Sequence, residues 1–394
     1  MQRKYLIVVP DGCGDYPIEE LDGKTILEAS NTPNLDKLSQ MGIVGQVKTV
    51  PDNMSPGSDI ANMSILGYDP KRYYTGRAPL EALSLGINLK ENELAFRLNL
   101  VIIENNIMKD YSGNHIKTED ADKYIKLLNK SLSDDKNEFF TGTSYRHIYI
   151  LKGVENAIET VKEIKTTPPH DITNKEIFPY LPNGKYEDHL RNIIFKSNEI
   201  FEYYRKELPN RITHGWIWGQ GTKPLFEDFY KKTGLKGGII TAVDLLKGIA
   251  KATNMKYLSV EGATGFIDTN YIGKIEAALT ALETLDLVYV HIEAPDESGH
   301  MGSIKYKMKS MEDIDKYIFS KILELLKSGE KLNVLILPDH YTPIKLKTHT
   351  NDPVPFLLIK GNLKSTNLLF SEKNANISPY KFNSGPELFD FFIS

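Results

Sequence analysis

The chain has a single cysteine, Cys13, in 394 residues, so no intrachain disulfide can form. No stretch approaches the ~18 consecutive apolar residues that a membrane span requires. The apolar run before Pro10 and Asp11 is too short for the core of a secretory signal. A cytoplasmic enzyme is the resulting expectation. Neither sign of charge dominates: the net charge is −4, which gives no reason to expect a general nucleic-acid-binding face. Internal repeats, low-complexity tracts and heptads are missing. Histidine is scarce, at nine in the whole chain, yet three of the nine fall within residues 296–349.

Those three belong to two clusters. HIEAPDESGH carries Asp296 and His300, and PDHYTPIKLKTH carries Asp339, His340 and His349. Each cluster follows an apolar, strand-like run, LDLVYVHI and LNVLILP. Carboxylates and imidazoles at the C-terminal ends of parallel strands are how an α/β sheet assembles a metal site for hydrolysis or phosphoryl transfer. Two such exits suggest a dinuclear site. Asp296 and His300 are four apart and share a face if that turn is helical. Asp339 and His340 are adjacent and can act together only from a loop, which Pro338 favours. Three histidines with three carboxylates suit Zn2+ or Mn2+ better than Ca2+. A structural metal site would call for a cysteine-rich ligand set, which this chain does not have.

Residues 4–10 read as a buried parallel strand ending at Asp11, ahead of the turn DGCGD. The aspartate suits a turn, and it equally suits a ligand facing the crevice above a sheet. TPNLDKLSQMG reads as a helix with Thr32 as N-cap, Pro33 at its first position and Gly42 beyond its end. GIVGQVKTV reads as a strand leading into the loop PDNMSPGSDIANMSILGYDP, and a helix is predicted over 78–85. In that loop Ser58 sits where a helix could begin. A serine there serves as an N-cap, or as a nucleophile if a base or metal activates it.

From residue 94 to about 235 the texture changes. Strands such as RLNLVII and RHIYIL alternate with charged helices such as TEDADKYIKLLNKSL, as in an inserted α/β domain. From GGIITAVDLLKGIAKATNM onward the alternation of a doubly wound sheet resumes. The expected architecture is therefore α/β, with 1–93 and 236–394 forming a discontinuous metal-binding domain and 94–235 a smaller substrate-binding cap. Within the cap, Arg97, Arg146 and His147, with His170 and Asp171 of TPPHDI, are candidate anion binders. WIWGQGTKP, which holds both tryptophans, reads as packing, and His189 and His214 read as hydrogen-bonded structural histidines.

With these residues together, the chain resembles the archaeal-type cofactor-independent phosphoglycerate mutases of the alkaline phosphatase superfamily. The matching stretches run almost end to end: PDGCGDYP, GKTILEASNTPNLDKL, PGSDIANMSILGYDP, TGRAPLEA, GATGFIDTNYIGK, HIEAPDESGH and PDHYTPI. The resemblance implies a phosphatase-like sheet interrupted by a smaller insert and two divalent ions, Mn2+ foremost with Zn2+, Mg2+ or Co2+ as alternatives. It places Asp11, Ser58, Asp339 and His340 around one ion and Asp296, His300 and His349 around the other. Ser58 would carry the phosphate between 3-phosphoglycerate and 2-phosphoglycerate, without 2,3-bisphosphoglycerate. Arg77, Arg146 and Lys247 would hold phosphate and carboxylate. The family's Asp-Arg pair at the start of the insert reads Asp110-Tyr111 in KDYSGNHI, where Asp110 and His115 stand as substrate-binding candidates. YYTGRAPLEA, SYRH, TPPHDI and WGQG are similar to a bacterial branch with proposed homoserine kinase-like members. A homoserine kinase-like phosphotransferase and a metal-dependent phosphatase are thus the alternative activities. A small phosphorylated substrate is the expected partner, with no nucleic acid or membrane, and the sequence leaves the oligomeric state open.

Overall fold

The computed structural model describes residues 3–394 apart from 210 and 362. The chain divides into two compact units, one built from the residues up to Tyr74 together with Phe226–Ser394, the other from Thr75–Leu225. The divides lie earlier in the chain than the expected 93/94 and 235/236. The reason is local: the helix Arg77–Ser84 packs on the strands Leu94–Glu104 and His214–Thr222 of the smaller unit, while Tyr68 and Tyr73 pack their rings on Phe226 in the larger.

The larger unit is an eight-stranded sheet in the order Lys256–Tyr257, Gly237–Ile240, Leu287–Ile292, Lys4–Pro10, Leu332–Ile336, Val354–Ile359, Ile43–Val47, Lys381–Phe382. The first five strands are parallel, and Val354–Ile359 alone runs against its two neighbours, making the sheet mixed. Leu287–Ile292, Lys4–Pro10 and Leu332–Ile336 are adjacent and buried along their whole or nearly whole length, as expected of continuous apolar runs covered on both faces. Because they are parallel neighbours, their C-terminal exits open side by side on one edge. That edge places Asp11, Asp296, Asp339 and His340 together. The helix Pro33–Ser39 forms where the Thr32-Pro33 signal predicts, but the Thr32 hydroxyl makes no cap. The Asp315 carboxylate accepts from Asn34 N and Leu35 N instead, so a distant residue satisfies the free amides.

The smaller unit is built on a sheet in which Leu94–Glu104 pairs antiparallel with Ile107–Asp110, Arg146–Leu151 and His214–Thr222, and Asn137–Thr143 pairs antiparallel with Arg146–Leu151. The helices Thr118–Leu132 and Glu187–Tyr203 bury Tyr124, Leu128, Ile194 and Phe201 against it, with Trp216 fully enclosed. Among the described residues, no helix is long and apolar enough to cross a membrane.

Candidate metal and phosphoryl-transfer centre

Pro10 ends its strand and Asp11 follows with its carboxylate buried. At the next strand exit, Ala294–Met301 forms a helix with Pro295 in its first turn, and its winding sets Asp296 and His300 on one face: His300 Nε2 is 3.2 Å from Asp296 Oδ2. At the third exit, Asp339 and His340 lie in irregular backbone, as adjacency demanded. The loop beyond them returns His349, whose Nε2 is 3.4 Å from Asp296 Oδ1 and 2.9 Å from His300 Nε2. Gly12, at φ +62°, is required here, because a side chain would run into Thr342 Oγ1 and Asp296.

Ser58 decides between its two sequence readings. Gly57 occupies the N-cap position and no side chain caps the helix Ser58–Ile65. Ser58 is the first helical residue, and its hydroxyl lies 3.2 Å from His340 Nε2. Asn62, one turn on, donates to Ser58 O at 2.8 Å and to Asp339 Oδ2 at 2.7 Å, and Tyr289 OH donates to Asn62 Oδ1. Asp339 Oδ1 accepts from Gly12 N and His340 N.

Three groups of donor atoms converge within 4.8 Å: Asp296, His300 and His349; Asp11, His291 and Asp339; Asp11, Asp296 and His340. His291 is the residue that sequence reasoning passed over. It is the penultimate residue of a fully buried strand, at the start of the same HIEAPDESGH segment, and an imidazole inside such an apolar run was the available signal. Its Nε2 is 3.0 Å from Asp11 Oδ2, yet neither His291 Nε2 nor Asp11 Oδ1 has a hydrogen-bond partner, although both are buried. Unpaired buried atoms of this kind need an explanation.

The electrostatics agree. Burial, then the neighbouring Asp339 and Asp296 carboxylates, raises Asp11 well above the usual carboxylate range. Asp296 overcomes its burial through hydrogen bonds from His300 and His349 and falls well below that range. Although burial opposes it, the Asp296 carboxylate raises His300 to about 9. Burial lowers His340, and lowers His291 to about 4, which leaves both rings neutral and able to donate an electron pair. The carboxylates of Asp11, Asp296 and Asp339 crowd one another in buried surroundings, a repulsion that a pair of divalent cations would relieve. The donor set, nitrogen and carboxylate oxygen without thiolate, fits such ions.

The other candidates fall elsewhere. Lys247 is on the helix Asp244–Ala252, its Nζ 2.9 Å from Asp244 Oδ1. Lys274 of GATGFIDTNYIGK, which sequence reasoning did not single out, is fully buried beside the centre, its Nζ donating to His291 O at 2.9 Å and lowered by burial to about 8. In the smaller unit, Arg97 and Arg77 grip the two oxygens of Glu81, at 2.9 and 3.2 Å. Arg97 lies 4.2 Å from the Trp218 ring. Although its partial burial opposes this, Arg97, Arg77 and Arg146 hold the Glu81 carboxyl below the usual range. Sequence reasoning did not name Glu81; one turn of helix from Arg77 was the signal. Tyr111 and Trp218 both set their rings edge-on to His170. Asp110 spends its carboxylate on Ser112 and Asn114 and so shapes a turn, and His115 sits in that turn with its ring edge-on to Tyr145. His147 is a core residue, its Nδ1 accepting from Gly142 N and burial lowering it to about 3. His189 and His214 are hydrogen-bonded as read, to Tyr149 and Asn137 and to Thr213.

Known proteins share this architecture. The family model for 2,3-bisphosphoglycerate-independent phosphoglycerate mutase matches residues 39–205. The mutase of that name from Methanosarcina mazei is 48% identical over 371 residues, covering 92% of each chain. The solved PH0037 protein of Pyrococcus horikoshii is 29% identical with a TM-score of 0.81, over 100% of this chain and 97% of that one. The cofactor-independent phosphoglycerate mutase of Thermoplasma acidophilum, at 24% identity and a TM-score of 0.66 over 100% and 99% of the two chains, shares the fold. The extent of identity to the Methanosarcina enzyme, over nearly the whole of both chains, makes this chain a member of the 2,3-bisphosphoglycerate-independent phosphoglycerate mutase family.

Proposed function

We propose that the chain interconverts 3-phosphoglycerate and 2-phosphoglycerate through a phosphoserine at Ser58. The observation that carries this reading is the Ser58 hydroxyl at the first turn of a helix, 3.2 Å from His340 Nε2 and flanked by the acidic clusters. Two divalent cations, Mn2+ foremost, held by Asp11, Ser58, Asp339 and His340 and by Asp296, His300 and His349, would supply charge against the phosphoryl oxygens and acidify the Ser58 hydroxyl. Ser58 Oγ bonds to phosphorus as the bond to the C3 oxygen breaks. The proton that Ser58 gives up balances the one that the C3 oxygen gains. The C2 hydroxyl then loses a proton as its oxygen takes the phosphoryl group back from Ser58. The helix N-terminus contributes a partial positive charge beside the developing anion. Asn62 holds the first turn, so Ser58 Oγ needs little reorganisation. In the smaller unit Arg77, Arg97 and Arg146, gathered by Glu81, supply cations for phosphate and carboxylate, with Asp110 and His115 shaping the neighbouring turn.

The test is turnover of 3-phosphoglycerate by the purified, Mn2+-loaded chain, wild type against Ser58→Ala. A loss of roughly three orders of magnitude or more is expected, since the nucleophile is removed. Label from [32P]3-phosphoglycerate should appear on Ser58. Ser58→Ala turning over at the wild-type rate would overturn the reading. So would phosphohomoserine formed from ATP and homoserine by a wild-type chain without mutase turnover.

A further inference from the structure

One hydroxyl touches both ligand clusters. Thr342 lies two residues beyond His340 and is fully buried. Its Oγ1 donates to Asp296 Oδ1 and sits 3.3 Å from His340 Nδ1. A threonine hydroxyl has one proton, and an ionised carboxylate can only accept, so that proton belongs to Asp296. Toward His340 the oxygen can then only accept. His340 must therefore carry its own proton on Nδ1, which leaves the Nε2 electron pair directed at Ser58 Oγ, 3.2 Å away, and toward Asp11 Oδ1 at 3.6 Å. The hydroxyl has little freedom to turn elsewhere. Lys307 Nζ donates to Thr342 O at 2.8 Å, and the two places where Gly12 and Gly299 lack a side chain are filled by Thr342 itself.

We infer that Thr342 is a positioning residue that couples the two clusters, setting the rotamer of Asp296 and the tautomer of His340 through one oxygen. The inference rests on the metal-centre reading above. Partners of metal ligands commonly govern affinity in this way, by fixing which nitrogen is free. Valine at 342 keeps the shape and removes the oxygen. Asp296 then loses a donor, and the His340 Nδ1–H loses its acceptor in a buried place. The ring can answer by moving its proton to Nε2, where it blocks a cation.

The experiment titrates the metal-free full-length chain with Mn2+ alone by calorimetry, as wild type, Thr342→Val and Thr342→Ser, and records thermal unfolding in chelator. Thr342→Val is expected to bind Mn2+ about 10–100-fold more weakly at both sites. Thr342→Ser should restore the affinity, with metal-free melting close to wild type in the serine variant and a cooperative transition retained in the valine variant. In a His300→Ala background, which removes a ligand from one cluster, Thr342→Val must still weaken the site that remains. Wild-type affinity in Thr342→Val overturns the inference, as does a loss confined to one cluster or a loss that serine does not rescue. Wild-type protein that takes up no Mn2+ overturns the metal-centre reading, and this inference with it. Should valine prevent folding, Thr342→Ala, which also lacks the hydroxyl, is judged by the same outcomes.

Discussion

Replacing Lys307 by methionine should destabilise the larger unit sharply. Lys307 projects from the helix Ile304–Ile314 and is fully buried. Its ammonium donates to Asp15 Oδ2 at 2.9 Å, Gly14 O at 3.1 Å and Thr342 O at 2.8 Å. It thereby clamps the loop after Asp11 to the loop after His340. Methionine has similar bulk, so packing is nearly kept while three charge-assisted bonds vanish. Asp15 is left with amide donors from Tyr16 and Ile344 but no counter-ion, at 2% exposure. Breaking one partner out of a buried pair costs about 3–5 kcal/mol, because the remaining charge is uncompensated. For a unit of this size each kcal/mol shifts the melting temperature by roughly 2–4 °C, so a drop of about 10 °C is expected. Thermal unfolding of the metal-free protein by circular dichroism measures it. Asp15→Asn in the Lys307→Met background should regain at least half, since it removes the stranded charge. A drop under about 2 °C, or two substitutions whose costs simply add, would refute the reasoning.

The pH dependence of cation binding follows from His300. Asp296 holds its proton up to about 9, well above the ordinary 6.5, and a cation must displace that proton. Mn2+ affinity of that cluster should therefore fall about tenfold per unit as pH drops from 8 to 6, with proton release visible in calorimetry across buffers, and a flat profile would contradict it. Without metal the sign reverses. The raised value means that the His300–Asp296 pair stabilises the fold fully below pH 6.5 and loses this effect as pH rises through about 9, which melting curves in chelator should show. In the smaller unit, Arg97→Lys keeps the charge but gives up the planar contact with Trp218 and the fit to Glu81. It should raise the KM for 3-phosphoglycerate about 10-fold or more with little change in kcat, and an unchanged KM would remove Arg97 from the substrate site.

Much of the centre was legible because strand exits announce themselves. LDLVYVHI and LNVLILP are continuous apolar runs followed by carboxylate and imidazole, and parallel strands bring such exits to one edge whatever lies between them. The i,i+4 spacing of Asp296 and His300 likewise follows from helix geometry alone. Other parts were not. Thr32 has the composition of a cap, but Asp315 does the capping from a distant helix. Sequence reasoning passed over Lys274, whose ammonium meets the His291 carbonyl, because which helix packs behind Leu287–Ile292 depends on crossover topology. The expected cap boundary at 94 missed the helix Arg77–Ser84, whose own amphipathic face does not reveal which sheet it covers.

The sequence by itself determined the α/β architecture and the carboxylate and imidazole residues that follow its strands, since these follow from local periodicity and from chemistry carried within short segments, while it left Ser58 open between a cap and a nucleophile. Only the tertiary structure decided that Ser58 leaves its helix uncapped to face His340, that His291 ends beside Asp11, and that Thr342 spans the two clusters. Each of these depends on groups far apart in sequence meeting at bonding distance. Hydrogen-bond direction and burial exist only once the sheet has brought them there.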